Sequence, residues 1–357
     1  MGMLLCFCLV NMKLAVIISP NYKDYAKRFL RDCLDSLRSQ TIQDYKIFLV
    51  DNETSKESFE YLKKEAPEAN IIALEKNEGF AGGNNRAMEI AMKENFDYCV
   101  LINMDTMLEK DCLEKWCEAA KQKPEAAIQA RLMMWPEQTI INSLGNLTHF
   151  LGFGYSNKYR EKYNGGNSLI DIVYPSGAAV MLPIKVLKKV GLFDEVMWMY
   201  NEDQDLGWRF WLAGYSCVLA PEVVVYHKYE FSRSIAKYYW MDRNRVIAIL
   251  KNYHWLTLIF IAPAFIIMEL GLILFSLKSG WFKEKLKVWQ YFFIASNWNY
   301  ILKERKKIQS TRKISDRKAT KFFSGRIWYQ EINNPLLNLL NPIFSLYWRL
   351  VRLIMFW

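Results

Sequence analysis

The chain has 357 residues, enough for one large domain with an appendage or for two domains. Hydrophobic residues make up 52% of it, which allows a sizeable core and excludes a disordered protein. The formal net charge of +10 is unevenly placed, because residues 278–326 hold 14 Lys or Arg against three acidic residues.

The N-terminal extension, residues 1–12, is apolar but lacks the basic start of a signal peptide. It is too short to span a bilayer, and Met12 is a candidate for the true start. The seven cysteines include no C-x-x-C pair, and their number is odd. This pattern predicts buried thiols in a reduced, intracellular protein.

Apolar runs alternate with helical stretches over the first third of the chain. The predicted strands are 14–19, 45–50, 71–74 and 98–102, and the predicted helices are 23–40, 55–65 and 86–93. This alternation implies a mostly parallel sheet with helices on both faces, whose ligands bind beyond the carboxyl ends of the strands. Asp51, the Gly-rich loop 77–85 and Asp105 all fall at such ends.

The next third is less regular. The pattern predicts a helix at 109–122, strand-like pieces at 127–132 and 139–144, a long mobile loop at 152–167, a strand at 173–182 and a short helix at 186–190. The small residues within 173–182 suit a strand that packs closely beside a ligand.

Three acidic residues then stand within four positions, in Glu202-Asp203-Gln204-Asp205. Adjacent carboxylates repel one another, and apolar surroundings raise the free energy of their charged forms. The cluster is therefore a candidate general base, metal ligand or acceptor of a sugar hydroxyl. The alternative is helix capping, because acidic residues complement a helix N-terminus.

Seven short motifs between residues 14 and 227 together resemble family 2 of the inverting glycosyltransferases, nucleotide-diphospho-sugar transferases with a GT-A fold. The motifs are Val50-Asp51-Asn52, Asn77-Glu78-Gly79-Phe80-Ala81-Gly82-Gly83-Asn84, Leu101-Ile102-Asn103-Met104-Asp105-Thr106, Ser176-Gly177-Ala178-Ala179, Gly191-Leu192-Phe193-Asp194-Glu195, Glu202-Asp203-Gln204-Asp205-Leu206 with Arg209, and His227. Within the family the chain looks most like the rhamnosyltransferase-like, non-processive members, which carry a basic membrane-associating C-terminal region. The Q-x-x-R-W signature of processive synthases is absent.

For the nucleotide-sugar donor, the resemblance implies that Asp51 accepts from the imide N–H of uracil or thymine, with an ordinary turn role as the alternative. Gly82 and Gly83 would let backbone N–H groups approach the donor, or simply form a strand-to-helix turn. The other donor-binding candidates come from the same motifs and are Asn52, Asn77, Asn84, Asn103 and Asp105.

The resemblance also implies a divalent cation, Mn²⁺ or Mg²⁺, that bridges the donor diphosphate. Its candidate ligands are Asp105 and His227, and a structural histidine is the alternative for the latter. The family motif is D-x-D, but Asn103 replaces its first acid and adds no negative charge.

In the acidic cluster the family pattern assigns the general base to Asp203 and acceptor positioning to Glu202. Asp205 would anchor the helix start or pair with Arg209. Ser176, Gly177 and Trp198 are the further acceptor-binding candidates, with core packing as the alternative for Trp198.

Residues 255–277 are apolar and long enough to span a bilayer, with Glu269 as their one charge. A single crossing from a cytosolic catalytic domain would place the basic block outside, against the positive-inside tendency. We therefore expect monotopic or re-entrant attachment to the cytoplasmic face of an anionic membrane, aided by 336–357. The alternatives are a soluble helical subdomain or an oligomer interface.

Together these features predict an α/β GT-A catalytic domain at 13–230 and a helical, basic, membrane-associating region at 231–357. The expected activity is transfer of one sugar to a lipid-linked or polysaccharide acceptor. A basic block also suits nucleic acid, but no binding motif accompanies it and no nucleic acid partner is expected. The alternative functions are a nucleotidyltransferase and an inactive membrane-bound scaffold.

Overall fold

A mixed sheet of ten strands, with a two-stranded hairpin beside it, forms the centre of the computed structural model, which describes residues 12–52, 55–228, 235–328 and 335–357. The strands are β1 (Leu14–Asn21), β2 (Tyr45–Asn52), β3 (Asn70–Leu74), β4 (Tyr98–Ile102), β5 (Thr106–Leu108), β6 (Ala127–Met134), β7 (Ile141–Ser143), β8 (Asn146–Thr148), β9 (Gly154–Ser156), β10 (Ile170–Asp171), β11 (Ala179–Pro183) and β12 (Cys217–His227). The helices are α1 (Tyr25–Arg38), α2 (Lys56–Glu65), α3 (Gly79–Lys93), α4 (Cys112–Gln122), α5 (Ile184–Val190), α6 (Glu202–Leu212), α7 (Ala236–Asn252), α8 (Trp255–Lys278), α9 (Phe282–Phe293), α10 (Ala295–Thr311), α11 (Asp316–Ala319) and α12 (Pro335–Ile354).

The main strands lie in the order β10-β12-β6-β11-β4-β1-β2-β3. β1 to β4 are parallel, β6 and β12 are parallel to each other, and β11 is antiparallel to both β4 and β6. Because β11 is antiparallel to both of its neighbours, β4 and β6, those two strands run in the same direction. β6 and β12 are therefore parallel to β1 to β4. Six carboxyl ends therefore meet at one edge, which confirms the predicted mostly parallel sheet.

The first strand shows why the sheet is covered on both faces. Leu14, Val16 and Ile18 pack into one core cluster with α1 and α4, whereas Ala15 and Ile17 pack into a second cluster with α3. All five side chains are buried. An uninterrupted apolar run is what a strand needs when neither of its faces meets water, and the prediction from that run is confirmed.

Three expectations of local structure are wrong. The segment 77–85 is mostly not a loop, because α3 begins at Gly79 and tertiary packing outweighs the weak helix propensity of glycine. In 173–182 the strand begins only at Ala179, after a turn. The segment 152–167 contains β9, which pairs with β8, so part of it is held in a hairpin.

Helices α7 to α12 pack against the sheet domain rather than forming a detached appendage. Phe150 and Trp208 of the sheet domain share a buried cluster with Tyr253, Phe323 and Phe344. The predicted boundary between residues 230 and 231 lies outside the described residues, as does most of the predicted N-terminal extension. The five described cysteines are buried free thiols, and Cys6 and Cys8 fall outside the described part.

Among the described residues one helix, α8, is long and apolar enough to cross a membrane, and little of it is buried. Its one acidic residue, Glu269, points inward, where it accepts from Arg245 and, at 2.6 Å, from Nζ of Lys285. Both cations also contact Asp242 on α7. Apart from Lys278 at its last position, the outward face of α8 is thus free of charge, and the inward charges are balanced.

Candidate active site

Several sequence-predicted residues meet at the edge where the parallel strands end. Asn103 follows β4, and its backbone N–H donates to the carbonyl of Ala178 at 2.8 Å. The turn Ser176-Gly177-Ala178, which leads into the antiparallel β11, therefore lies beside the end of β4. His227 closes β12 at the same edge, in antiparallel register with Thr106.

Asp203 faces this turn from the first turn of α6. Its Oδ2 accepts from the backbone N–H of Gly177 at 3.2 Å, and its Oδ1 accepts from the backbone N–H of Gln204 at 2.7 Å. Burial raises the pKa of Asp203 to about 6, although both hydrogen bonds oppose that shift. Such a carboxylate is ionised at neutral pH and still basic enough to take a proton.

Glu202 is the second carboxyl group of the pair. Its side chain is buried, and Oε2 has no hydrogen-bond partner in the described part of the chain. Burial, and then repulsion from Asp203, raise the pKa of Glu202 well above its usual value. Burial and repulsion thus favour the neutral form of Glu202, whereas the N–H groups of Gly177 and Gln204 favour the charged form of Asp203, which is the pattern of paired acids with separate roles.

Asp205 belongs to a different environment, as the sequence predicted. It is fully buried and pairs with Nε of Arg209 at 2.9 Å and with Nζ of Lys251 at 3.1 Å, while Asn252 donates to it at 2.8 Å. Burial raises the pKa of Asp205, but the two cations and Asn252 outweigh burial, so the net shift is downward. This carboxylate ties α6 to α7.

The backbone just before Glu202 is held in an unfavourable conformation. Trp198, Tyr200 and Asn201 have φ angles of 58°, 68° and 66°, the left-handed region that non-glycine residues rarely occupy. Nδ2 of Asn244 on α7 lies 2.8–2.9 Å from three carbonyl oxygens of this segment, those of Met197, Met199 and Tyr200. Asn244 carries no sequence signal, and sequence reasoning missed it.

On the predicted donor side, Asp51 is buried at the end of β2. Nδ2 of Asn21 lies 3.4 Å from Oδ1 of Asp51 and 3.1 Å from Oγ of Ser58. Asn21 thereby links Asp51 to Ser58 and fixes the position of the Asp51 carboxylate. Asn52 has a structural part: it donates to Asn77 Oδ1 at 2.9 Å and accepts from the N–H of Glu78 at 2.8 Å. Asn77 in turn accepts from the N–H of Gly79 at 2.8 Å. These two asparagines fasten the start of α3 to β2.

The predicted role of the glycines needs correction. Gly82 donates its N–H to the carbonyl of Glu78 within α3, so that N–H is not turned toward a ligand. A Cβ on Gly83 would lie 2.3 Å from Pro20, so this glycine serves the close approach of α3 to the end of β1. Asn84 is fully buried and donates to the carbonyl of Phe80 at 2.9 Å.

Arg86, on α3, forms ion pairs with three glutamates. Its guanidinium contacts Glu78 at 2.8 Å, Glu89 at 3.3 Å and Glu195 at 3.1 Å. Asn85, which sequence reasoning did not single out, binds the backbone of Phe193 through both ends of its amide. The start of α3 is thereby joined to the Gly191-Leu192-Phe193-Asp194-Glu195 motif.

Asp105 and His227 are brought together as predicted. Oδ1 of Asp105 is buried, has no hydrogen-bond partner among the residues that the structure describes, and lies 3.3 Å from Nε2 of His227. Nδ1 of His227 lies 3.0 Å from Oδ1 of Asn142, so that amide fixes the ring. Asn103 uses its Oδ1 to accept from Ser19 at 2.7 Å. Burial raises the pKa of Asp105, but His227 and Tyr25 lower it by more.

The described residues contain no group of three His, Cys, Asp or Glu side chains that could hold a metal by themselves. The Asp105–His227 pair nevertheless fits two sites on one ion. A separation of 3.3 Å is close to that of adjacent ligands around an ion with bonds of about 2.1 Å. Oxygen and imidazole ligands suit Mn²⁺ or Mg²⁺, with a diphosphate and water completing the shell.

The predicted acceptor residues divide into two kinds. Ser176 accepts from the N–H of Ala178 at 3.3 Å, and Gly177 uses its N–H to hold Asp203, so both shape the turn at the base. Trp198 stacks on Trp240 with ring centroids 4.8 Å apart, and Gly79 packs against it. Trp198 is partly exposed, and these contacts favour the core-packing alternative for most of its ring.

Comparison with known proteins agrees with this geometry. Residues 16–191 match the family model of Glycosyl transferase family 2. No curated protein matches the sequence at a significant level.

Among solved structures, TarS 1-349 of S. aureus in complex with UDP is similar at 16% identity, over 96% of this chain and 90% of that one, with a TM-score of 0.53. GalNAc-T7 with UDP, GalNAc and Mn²⁺ is similar at 12% identity, over 67% of this chain and 48% of that one, with a TM-score of 0.52. This chain thus spans about half the length of GalNAc-T7, and 55% of that of the longer S. aureus TarS chain. At such identities the likeness establishes the fold. The α/β architecture is GT-A, and residues 16–191 match the model of Glycosyl transferase family 2.

Proposed function

We propose that this protein is an inverting glycosyltransferase that moves one sugar from a UDP-sugar to a hydroxyl of a lipid-linked glycan at the cytoplasmic face of a membrane. The observation that carries the proposal is the carboxyl pair at the edge of the sheet, where two backbone N–H groups stabilise the charged form of Asp203 and burial favours the neutral form of Glu202. UDP is proposed as the donor nucleotide because the similar structures of TarS and GalNAc-T7 hold it.

In the proposed reaction Asp203 takes the proton of the acceptor hydroxyl as that oxygen attacks the anomeric carbon. The attack comes from the face opposite the diphosphate, so the anomeric configuration inverts. Glu202, neutral and next to the base, donates a hydrogen bond to the acceptor. Asp51 accepts from the uracil imide N–H at the far end of the donor.

Asp105 and His227 would hold a divalent ion against the donor diphosphate, where it would neutralise the charge of the leaving UDP. The buried, unsatisfied Oδ1 of Asp105 and the ring of His227 fixed by Asn142 support this assignment. The role of Asn103 is then to orient Ser19 rather than to bind the ion.

Substitution of Asn142 by alanine should weaken Mn²⁺ binding by about 10–100-fold, because it releases the ring of His227. His227→Ala should weaken it further. The measurement is UDP release against Mn²⁺ concentration after chelation, with calorimetric Mn²⁺ titration in the presence of UDP. If a chelator leaves the wild-type rate unchanged, the ion has no part in the reaction.

Membrane attachment is proposed from the surface of α8 and α12. Both helices expose rows of apolar side chains, among them Ile259, Ile266, Ile267, Leu270 and Leu274 on α8 and Leu339, Ile343, Leu346, Leu350 and Leu353 on α12. The helices lie together, since the hydroxyl of Tyr347 donates to the carbonyl of Phe260 at 2.5 Å. A broad apolar face made by two adjacent helices suits in-plane insertion into one leaflet.

A cavity of about 180 Å³ supports a lipid-linked acceptor. Apolar side chains of α8 and α12 line one side of it, among them Met268, Leu272, Phe275 and Leu340, and the paired Asp242 and Arg245 of α7 lie in its wall. At another side it reaches Asn201, the residue before Glu202. We propose that the hydrocarbon chain of the acceptor enters here from the apolar face and leaves its glycan at Asp203.

Gly271 on α8 lines this cavity, and a Cβ there would meet no atom within 4 Å. Gly271→Phe should fill the space and abolish transfer to a glycan on a long isoprenoid chain, while transfer to the same glycan on a water-soluble tag persists. Gly271→Ala is the matched control and should keep both activities. The assay follows UDP release from a panel of UDP-sugars with each acceptor. Equal loss with both acceptors would contradict the assignment of the cavity.

Asn244→Ala should lower kcat by about tenfold to a hundredfold, since each lost hydrogen bond contributes about 1 kcal/mol. The left-handed segment would relax and carry Glu202 and Asp203 away from Gly177. KM for the donor should stay unchanged, because Asp51 lies on a different element. A fall in thermal stability without any change in kcat would show that Asn244 supports the fold and not the site.

The alternatives from the sequence are less well supported. A nucleotidyltransferase would usually show a Gly-rich loop with a basic residue just after the first strand, whereas β1 of this chain ends in Pro20 and Asn21, which pack on neighbouring elements. The inactive-scaffold alternative rested on Asn103. The donor-release assay tests it, because a scaffold would release no UDP from any donor.

A further inference from the structure

A broad cleft of about 900 Å³ lies on the side of the molecule away from the candidate active site. It is bounded by residues next to the starts of β6 and β12, whereas Asp105 and His227 lie at strand ends on the opposite edge of the sheet. Helices α11 and α12 form its other wall. It is therefore separate from the donor and acceptor sites described above.

Five basic side chains line the cleft: Lys123, Arg317, Lys318, Lys321 and Arg352. The one acidic residue in its wall, Glu125, is already paired with Lys185 at 3.2 Å. Of the basic residues, Lys321 contacts Asp171 at 3.3 Å, through side chains that are both exposed. Within the described chain the positive charge of this cleft is not balanced.

Several buried cations elsewhere in the C-terminal helices are paired with carboxylates, whereas Arg243 and Arg305 donate to backbone carbonyl oxygens. Arg245 and Lys285 share Asp242 and Glu269, and Arg312 pairs with Asp316 at 2.6 Å. Such matching is the rule when cations leave water, because an unpaired buried charge is costly. The cleft cations other than Arg352 are exposed to water, and together they form a concentration of positive charge to which an anion from outside the chain can bind.

Arg352 is the cleft residue whose hydrogen-bond donors are least satisfied within the described chain. Its Nε is enclosed and has no hydrogen-bond partner in the described residues, and Nη1 donates to the carbonyl of Lys321 at 3.2 Å. Burial, and then the neighbouring charge of Arg317, lower the pKa of Arg352. A guanidinium has five N–H donors arranged to match phosphate oxygens, so an anion of that kind would relieve both the repulsion and the missing acceptors.

The rim of the cleft is apolar. Phe356 is part of its wall and is 81% exposed, and Leu353 beside it is 72% exposed. Trp357 stacks on Phe260 with centroids 5.6 Å apart, which joins this rim to the outward face of α8. At a membrane surface, anionic headgroups lie above hydrocarbon. A basic cleft at the border of an apolar face is complementary to that arrangement.

We propose that this cleft binds the phosphate headgroup of an anionic phospholipid in the membrane to which α8 and α12 attach. The inference rests on the proposed membrane attachment and goes beyond it. It assigns headgroup binding to one defined set of residues and not to the general attraction between a basic protein and an anionic membrane. The apolar rim favours a lipid over free phosphate or nucleic acid.

The test is flotation of the full chain with vesicles of phosphatidylcholine alone, and with vesicles of equal phosphatidylcholine and phosphatidylglycerol. The wild type should prefer the mixed vesicles, and Arg317→Gln/Arg352→Gln should reduce that preference by about 10–30-fold. Arg317→Gln/Lys318→Gln, at two exposed positions, provides a second variant that the fold tolerates. The matched control is Lys303→Gln/Lys306→Gln, which removes the same charge from exposed positions of α10.

Equal losses in the cleft and control variants would show diffuse attraction and overturn the site. Binding of inorganic phosphate or single-stranded RNA that depends on the same arginines, without preference for mixed vesicles, would overturn the lipid. Leu353→Ser/Phe356→Ser should weaken binding to both kinds of vesicle. A wild type that binds neither overturns the membrane attachment together with the cleft, whereas one that binds both equally overturns the cleft alone.

Discussion

Asp203→Asn should lower the rate of sugar transfer by about 10²–10⁴-fold, because an amide cannot take the proton of the acceptor hydroxyl. The carboxamide keeps an oxygen for the N–H of Gly177, so the turn and the binding of UDP should persist. The measurements are kcat from UDP release and the affinity for UDP by calorimetry. A variant that retains the wild-type rate would remove Asp203 from the role of base.

The pH dependence of the transfer rate is a second test of the role of Asp203. Since burial raises the pKa of Asp203 to about 6, the wild-type rate should fall as pH drops through that value, and the dependence should vanish in the asparagine variant. Glu202→Gln is the matched control. Burial favours the neutral form of Glu202, which an amide resembles, so this variant should lose much less activity and keep the pH profile. A larger loss for Glu202→Gln would exchange the two roles.

Asp205→Asn, two residues further along the chain, should destabilise the fold and not act on the chemical step. The substitution leaves Arg209 and Lys251 buried with only Asp194 as their anion. Removing one partner of a buried ion-pair network costs about 3–5 kcal/mol. We expect a clear fall in the thermal unfolding midpoint, measured beside Asp203→Asn, which should melt close to the wild type.

A second substitution separates charge from packing in this network. Arg209→Met in the Asp205→Asn background restores the balance of charge and should recover part of the lost stability. The arginine also donates to the carbonyls of Val190 and Leu192, so recovery should be incomplete. If Asp205→Asn melts at the wild-type temperature, the buried network does not hold α6 in place.

The sequence predicted the parts of the fold that depend on local pattern. The strand at 98–102 is observed with those limits, because five apolar residues between polar neighbours leave little freedom in where a buried strand can begin and end. Asp105 and His227 also follow strands as expected, and their meeting comes from the pairing of β12 with β5. Strand ends are therefore the part of the site that pattern reasoning identifies well.

What the sequence did not predict depends on contacts between distant segments. The glycines of α3 predict a loop when only the local sequence is considered. In the folded chain they lie in a helix, and Gly83 allows that helix to approach Pro20 closely. Asn142 and Asn244 are single asparagines in ordinary surroundings, and only their partners, 85 and 44–47 residues away, give them a role. No local pattern encodes such pairs.

The links between α6 and α7 bear on how the catalytic part can be prepared. A fragment that stops at residue 228 would lose Lys251 and Asn252, the partners of Asp205, and Asn244, which secures the residues before Glu202. It would also uncover Trp208, whose ring packs against Tyr253 and Phe323. Deleting the apolar helices to gain a water-soluble enzyme would therefore remove the support of the active site, and detergent or nanodiscs are the sounder route to purification.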